Sequence, residues 1–326
     1  MRNEALDLIK GFACIGVVFI HIRFPGLCGH IVQRIAQMAV PLFFMISGYF
    51  FYKPNVNESI KSIPNKIKRT LTLLAEAVVV YGLLRLITGE LATKEFTLGK
   101  FVSFVLFNDF EDIWLALWYI LAMLYTYFLM KFILKLPERG IKLEYIMFSL
   151  LICRIICLMF SNNWHYSSNF ALCGIPYFLV GYCIAKNTHK KFNKNATILI
   201  IPVGIIMNGL FSSIGFLVSN LANNIILRLF IEIGTMISSI AIFYIAVQVT
   251  YQSKKLKPVV ILGRKYSAMV YIYHGLFISV VNLLFTGNSN VIIWIKPILV
   301  VILSIIWAII RLFIKNCIMN KIHNQN

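Results

Sequence analysis

Acidic residues are scarce in this sequence: 12 Asp and Glu stand against 31 Lys and Arg among 326 residues. Charged residues together make up 13%, about half the quarter usual in a water-soluble domain, which excludes an ordinary soluble fold. Long polar stretches are also missing, since apolar runs follow one another from Leu8 to Ile314 with only short breaks; two soluble domains joined by a linker do not fit. The seven cysteines are odd in number, lie mostly inside apolar runs and lack a zinc-type spacing, so no metal is expected and they read as small buried apolar residues. The first apolar run has no A-x-A-like cleavage site and is followed at once by another, so it is expected to stay as a helix. The net charge of +19 comes from residues in short loops between apolar runs and not from one basic helix face. That pattern argues for orientation in a bilayer and against a nucleic-acid partner.

What is present is apolar surface: 60% of the residues are hydrophobic and the mean hydropathy is +0.81. A spanning helix needs roughly 20 mainly apolar residues. Ten runs qualify, at about 8–22, 35–52, 70–88, 113–134, 143–160, 170–185, 196–218, 225–249, 267–285 and 290–314. The reading is an all-α, polytopic integral membrane protein of about ten transmembrane helices, one domain over 1–326, multi-pass in the cell membrane and surrounded by membrane lipid. The stretch Phe96 to Phe107 is too short and holds Lys100, so it is assigned to the interface or to a re-entrant segment. Lys and Arg concentrate in alternate loops: Lys53 to Arg69, Lys131 to Lys142, Lys186 to Lys194, Lys254 to Lys265 and Arg311 to Lys321 on one side. The opposite side holds only Arg23, Arg34, Lys94 and Lys100, and the loops around Asn162, Asn220 and Asn288 hold none. The positive-inside rule then places both termini in the cytoplasm.

Ionisable side chains inside spans are costly and call for a partner or a role. Lys10, Arg85 and Lys296 read as snorkelling residues near helix ends. Arg228 and Glu232, spaced i, i+4, can pair on one helix face, and Glu76 can meet a nearby basic residue. His21 lies about 16 Å beyond Lys10 along the first helix, past the bilayer midplane, where it is either a helix-bridging hydrogen bonder or a base. His274 has the same two readings. Arg154 lies deep in the fifth span and needs an anionic or carbonyl partner; with His21, Arg228 and Glu232 it falls in the outer half, suggesting one polar cavity.

Several segments resemble a family. Asp7-Leu8-Ile9-Lys10 followed by His21 is similar to the opening of the type 3 integral-membrane acyltransferases, with Lys10 where the family has arginine. Val40-Pro41-Leu42-Phe43-Phe44-Met45-Ile46-Ser47-Gly48 resembles their Phe-Phe-x-x-Ser-Gly signature; Leu117-Trp118-Tyr119, Gly174 to Gly181 and Ser267 to His274 resemble later blocks in the same order. The resemblance implies transfer of an acyl group, acetyl first, from cytoplasmic acetyl-CoA to a hydroxyl of a glycan, lipid-linked sugar or related acceptor outside, with cell-envelope assembly proteins as possible partners; no soluble extension is expected after the last span. His21 is then the leading base. Lys66, Lys68 and Arg69 would attract the CoA phosphates, unless they are ordinary positive-inside charge. Lys10, Arg154, Glu232 and His274 would contact substrate, and Trp118 and Tyr119 would line its passage unless they form a membrane-interface belt. Ser47-Gly48 could relay the acyl group, but a Ser-Gly pair more often lets helices pack closely. A small-solute transporter, using a broken helix near Pro41, and a non-catalytic subunit are the alternatives.

Overall fold

The structure, a computed structural model, describes residues 3–89, 97–108, 115–160, 167–188, 194–218, 221, 224–249, 254–286 and 289–323. Among these every regular element is helical. Asn3 opens α1 (Glu4–His21), its side chain accepting from the amides of Ala5 and Leu6, and the chain turns extended at Ile22. The expected second span contains a turn. α2 (Gly26–Ala36) and α3 (Ala39–Phe51) meet at Gln37–Met38, with Pro41 in the first turn of α3, where its missing N–H forfeits no helical bond.

α4 (Val56–Ile87) runs 32 residues from an Asn55 cap, so Lys61, Lys66, Lys68 and Arg69 sit on a helix and not in the loop expected for them. α5 (Leu98–Phe107) is a ten-residue helix with Leu98, Phe101, Val102 and Val105 exposed, which suits an interfacial position better than a span. α6 (Trp118–Ile133) and α7 (Leu143–Phe160) follow. Asn169 then caps a π-turn (Phe170–Gly174) that leads into α8 (Ile175–Lys186). α9 (Lys194–Leu217) and α10 (Ile225–Gln248) pack as a pair through Gly204 and Gly234, where an added Cβ would meet the partner's backbone. α11 (Lys257–Ile261), a π-turn (Leu262–Tyr266) and α12 (Ser267–Leu284) form one continuous rod, and α13 (Asn290–His323) closes the fold.

Eight of these segments are long and apolar enough to cross a bilayer. The remaining two predicted spans are α1, which carries Glu4, Asp7 and Lys10, and Phe170–Lys186, which is short; counting both gives the ten expected. The described part is therefore an all-α polytopic membrane fold. The predicted loops around Asn162, Asn220 and Asn288 lie outside the described residues.

The centre of the bundle is α3 against α8. Ten of the twelve residues of α8 are buried, and the helices touch backbone to backbone: a Cβ on Gly48 would strike the Phe178 carbonyl, and one on Gly181 the Met45 carbonyl. Packing is thus what Gly48 does in the Ser-Gly pair. Only Cys14, Cys173 and Cys183 of the cysteines are buried, whereas Cys28, Cys153 and Cys317 are exposed and Cys157 is intermediate, so the uniform buried reading does not hold. A thiol is apolar enough to sit on a lipid-facing surface.

Candidate functional site

α1 and α12 run side by side from a tight contact between Gly11 and Gly263. Ten residues on from Gly11 and eleven from Gly263, roughly 15 Å in either helix, the chain reaches His21 and His274, and their rings stand 5.1 Å apart between centroids. Two histidines from opposite ends of the sequence thus share one site. His274 is fully buried, with Nδ1 2.6 Å from the Tyr271 carbonyl oxygen. A carbonyl only accepts, so Nδ1 carries the proton and Nε2 of the neutral ring is the acceptor. That Nε2 is buried without a hydrogen-bond partner among the described residues. A buried lone pair beside a second imidazole is a place to receive a proton.

A row of hydroxyl groups leads inward from this pair. The Tyr271 ring packs 5.9 Å from His274 and 5.3 Å from Tyr119, and its hydroxyl donates to the Ala116 carbonyl. Tyr119 lies between Phe44 (4.7 Å) and Tyr271, and Ser47 is the hydroxyl neighbour of both Tyr119 and Tyr127. Tyr127 in turn feels the charge of Arg69, which also lies near Lys66, itself close to Lys53. Ser47, Tyr119 and His21 keep part of their surface uncovered, while Tyr127, Tyr271 and His274 are buried. Tyr119 and Trp118, a buried residue whose carbonyl accepts from Asn108 Nδ2, are therefore interior residues and not a membrane-interface belt.

Arg154 and Glu232 come together as anticipated for the outer polar cavity, but Glu232 does not simply pair along its own helix. It accepts from Arg154 Nε at 2.5 Å, with both side chains largely buried. Arg154 also donates to the Ser167 carbonyl and lies 6.0 Å from the Tyr177 ring, while Arg228 donates to the Met159 carbonyl at 3.2 Å. A guanidinium buried in apolar surroundings needs an anionic partner such as Glu232. α2 connects the two clusters: Gln33 donates to the Ile20 carbonyl at 2.7 Å beside His21, and Arg34 feels the charge of Glu232.

Glu76 meets a basic residue as expected, and the residue is Arg311 of α13, with Tyr273 donating to the other carboxylate oxygen at 2.6 Å. Lys10 is not at a helix end; it is the seventh residue of α1, half-buried near Cys14, because Asn3 starts the helix earlier than hydropathy alone implies. Asp7, from the same motif, is buried and accepts from Arg264 Nε at 2.9 Å, joining α1 to the α11–α12 rod. The cytoplasmic trio divides. Lys66 is half-buried beside Lys53 and Arg69, whereas Lys68 faces a separate groove on the outer side of α4. No ion pair among the described residues neutralises Lys53, Lys66 or Arg69, so the chemistry of this mouth fits a polyphosphate. No cluster of potential metal ligands occurs among the described residues.

No signal in the sequence pointed to Tyr127 or to the partner role of Arg311; Tyr271 and Tyr273 were visible as the aromatic residues preceding His274 in its motif, but not the roles the structure shows for them.

The described part is thus a helical membrane bundle in which His21 stands beside the buried His274 and Lys66 lies near Lys53 and Arg69. The acyltransferase domain of type 3 matches residues 3–314 of the chain, which belongs to that family of membrane acyltransferases. No curated protein and no solved structure matches it.

Proposed function

We propose that the protein transfers an acyl group, acetyl in the simplest case, from cytoplasmic acyl-CoA to a hydroxyl of a glycan or lipid-linked sugar on the outer side of the cell membrane. The observation that carries this reading is the row from Arg69 through Tyr127, Ser47, Tyr119 and Tyr271 to the His21–His274 pair, which joins a phosphate-attracting mouth to a proton acceptor across the interior. Lys66 and Arg69 draw in the nucleotide phosphates, and Tyr119 and Trp118 flank the route of the thioester arm.

At the outer end His21 takes the proton of the acceptor hydroxyl as its oxygen attacks the thioester carbonyl; the carbon–sulfur bond breaks and the leaving thiolate receives the proton. His274 supports the charge that forms on His21. Its Nδ1–H is held by the Tyr271 carbonyl, so its Nε2 lone pair is free to accept from the neighbouring imidazolium. The Arg154–Glu232 pair and Lys10 are assigned to orienting polar substrate groups. Purified protein supplied with labelled acetyl-CoA and an outer-glycan extract tests the reading. Labelled glycan with stoichiometric release of CoA is the expected result. The turn between α2 and α3 favours one rival, a transporter with a midplane site; solute uptake without any CoA release would establish it instead.

A further inference from the structure

The outer face of α4 carries a feature that acyl transfer does not use. Lys61, Pro64, Lys68, Leu71, Thr72 and Ala75 recur at helical spacing on one side of α4, opposite the buried Ser59, Thr70 and Ala77. Together with Phe128 and Lys131 of α6 they line an open groove of about 840 Å³. The groove has a gradient along the membrane normal. α4 runs outward and α6 inward in the N-in orientation, so Lys61, Lys68 and Lys131 stand at the cytoplasmic end, while Leu71, Ala75 and Phe128 lie deeper.

Lys61, Lys68 and Lys131 all line the groove, and no carboxylate among the described residues pairs with any of them. Deeper in, the one hydroxyl makes no demand, because Thr72 Oγ1 already donates to the Lys68 carbonyl at 2.9 Å. Pro64 cannot donate to the Ile60 carbonyl, leaving that oxygen without its helix donor at the groove wall. Cations at the headgroup level, a spare acceptor beside them and an apolar floor toward the bilayer centre match one molecule: a phospholipid with an anionic phosphate, a hydroxyl-bearing headgroup and acyl chains.

We propose that the α4–α6 groove is a binding site for an anionic phospholipid of the inner leaflet, its phosphate held by Lys61, Lys68 and Lys131 and one acyl chain lying over Leu71, Ala75 and Phe128. The site is separate from the mouth formed by Lys53, Lys66 and Arg69, and it stands independently of the acyl-transfer reading. A nucleotide would place its phosphates at the same three lysines but would leave the deep apolar floor uncovered.

Native mass spectrometry of the whole protein, released from mixed micelles holding equal phosphatidylglycerol and phosphatidylcholine of matched chains, tests the proposal. One phosphatidylglycerol should be retained in preference. The triple variant K61Q/K68Q/K131Q should lose that preference, by roughly fivefold for each lysine removed. K135Q/K254Q/K255Q removes the same number of exposed cytoplasmic charges elsewhere and should keep it. Thr72→Phe, which fills the apolar floor and leaves every lysine in place, should weaken retention as well, so the result does not rest on charge removal alone. Equal loss in the two triple variants, equal retention of the two lipids, or displacement of phosphatidylglycerol by micromolar CoA would each overturn the assignment.

Discussion

The contact of α3 with α8 makes a quantitative test of what the Ser-Gly motif does. A Cβ on Gly48 would lie 2.8 Å from the Phe178 carbonyl carbon and 3.2 Å from its Cα, and closer still to its oxygen. On Gly181 the same atom would lie 2.7 Å from the Met45 carbonyl carbon and 2.8 Å from its Cα. In both cases the obstacle is backbone, so no rotamer change relieves it, and the helices must separate along a seam that holds Phe44, Phe51 and Phe178. Overpacking of this kind costs about 1–3 kcal/mol. Gly48→Ala and Gly181→Ala should therefore each lower stability by about that amount. The double variant should cost at least about 0.5 kcal/mol less than the sum, because one separation admits both methyl groups. Gly82 on α4 is the control: nothing lies within 4 Å of its Cβ position, so Gly82→Ala should be neutral or gain up to about 1 kcal/mol of helix propensity. Denaturation in mixed detergent measures all four. If Gly48→Ala behaves like Gly82→Ala, the motif does not serve close packing and the reasoning fails.

Breaking the buried Arg154–Glu232 pair from one side, as in Glu232→Gln, should destabilise by about 3–5 kcal/mol, whereas replacing both partners with Met and Leu should recover most of the loss in the same denaturation assay. Additive single and double effects would show that the pair is not coupled. Removing charge at Lys66 and Arg69 should raise the apparent KM for acyl-CoA severalfold with little change in kcat, since long-range attraction is lost before chemistry begins; steady-state kinetics reads this directly, and an unchanged KM would remove both residues from the donor site. Cysteine labelling with a membrane-impermeant reagent should reach positions 162 and 288 from outside and 191 and 255 only after permeabilisation; a reversed pair would overturn the N-in, C-in orientation.

Most of the span pattern was legible because lipid leaves the backbone one local solution, a helix of about 20 apolar residues. Where lipid exerts no pressure hydropathy was silent: residues 56–69 of α4 are polar and lysine-rich, and hydropathy cannot tell a helix extension beyond the bilayer from a loop. The Asn55 cap and Glu58 in the first turn were the signals that could have shown it. The α2–α3 turn falls at Gln37–Met38, three to four residues before the proline that hints at it. Pairings between helices were the least legible. The i, i+4 spacing of Arg228 and Glu232 suggested a pair within one helix, and nothing local could show that Arg154, from a different helix, also donates to that carboxylate. His21 and His274 were each recognisable by depth and motif, but no local pattern could place them 5.1 Å apart.

The account turns on His21 as the group that takes the acceptor proton, and one measurement addresses it most directly. Vesicles containing the parent protein or His21→Ala are loaded with labelled acetyl-CoA on the cytoplasmic side and offered acceptor glycan outside, and the transfer rate is divided by the amount of folded protein. A positioned base contributes about a hundred- to ten-thousand-fold, so the normalised rate of His21→Ala should fall at least about a hundredfold while the protein still folds. A His21→Ala protein that keeps more than about a tenth of the parent's normalised rate would contradict the assignment, because that loss is too small for a base and fits a histidine that only bridges helices.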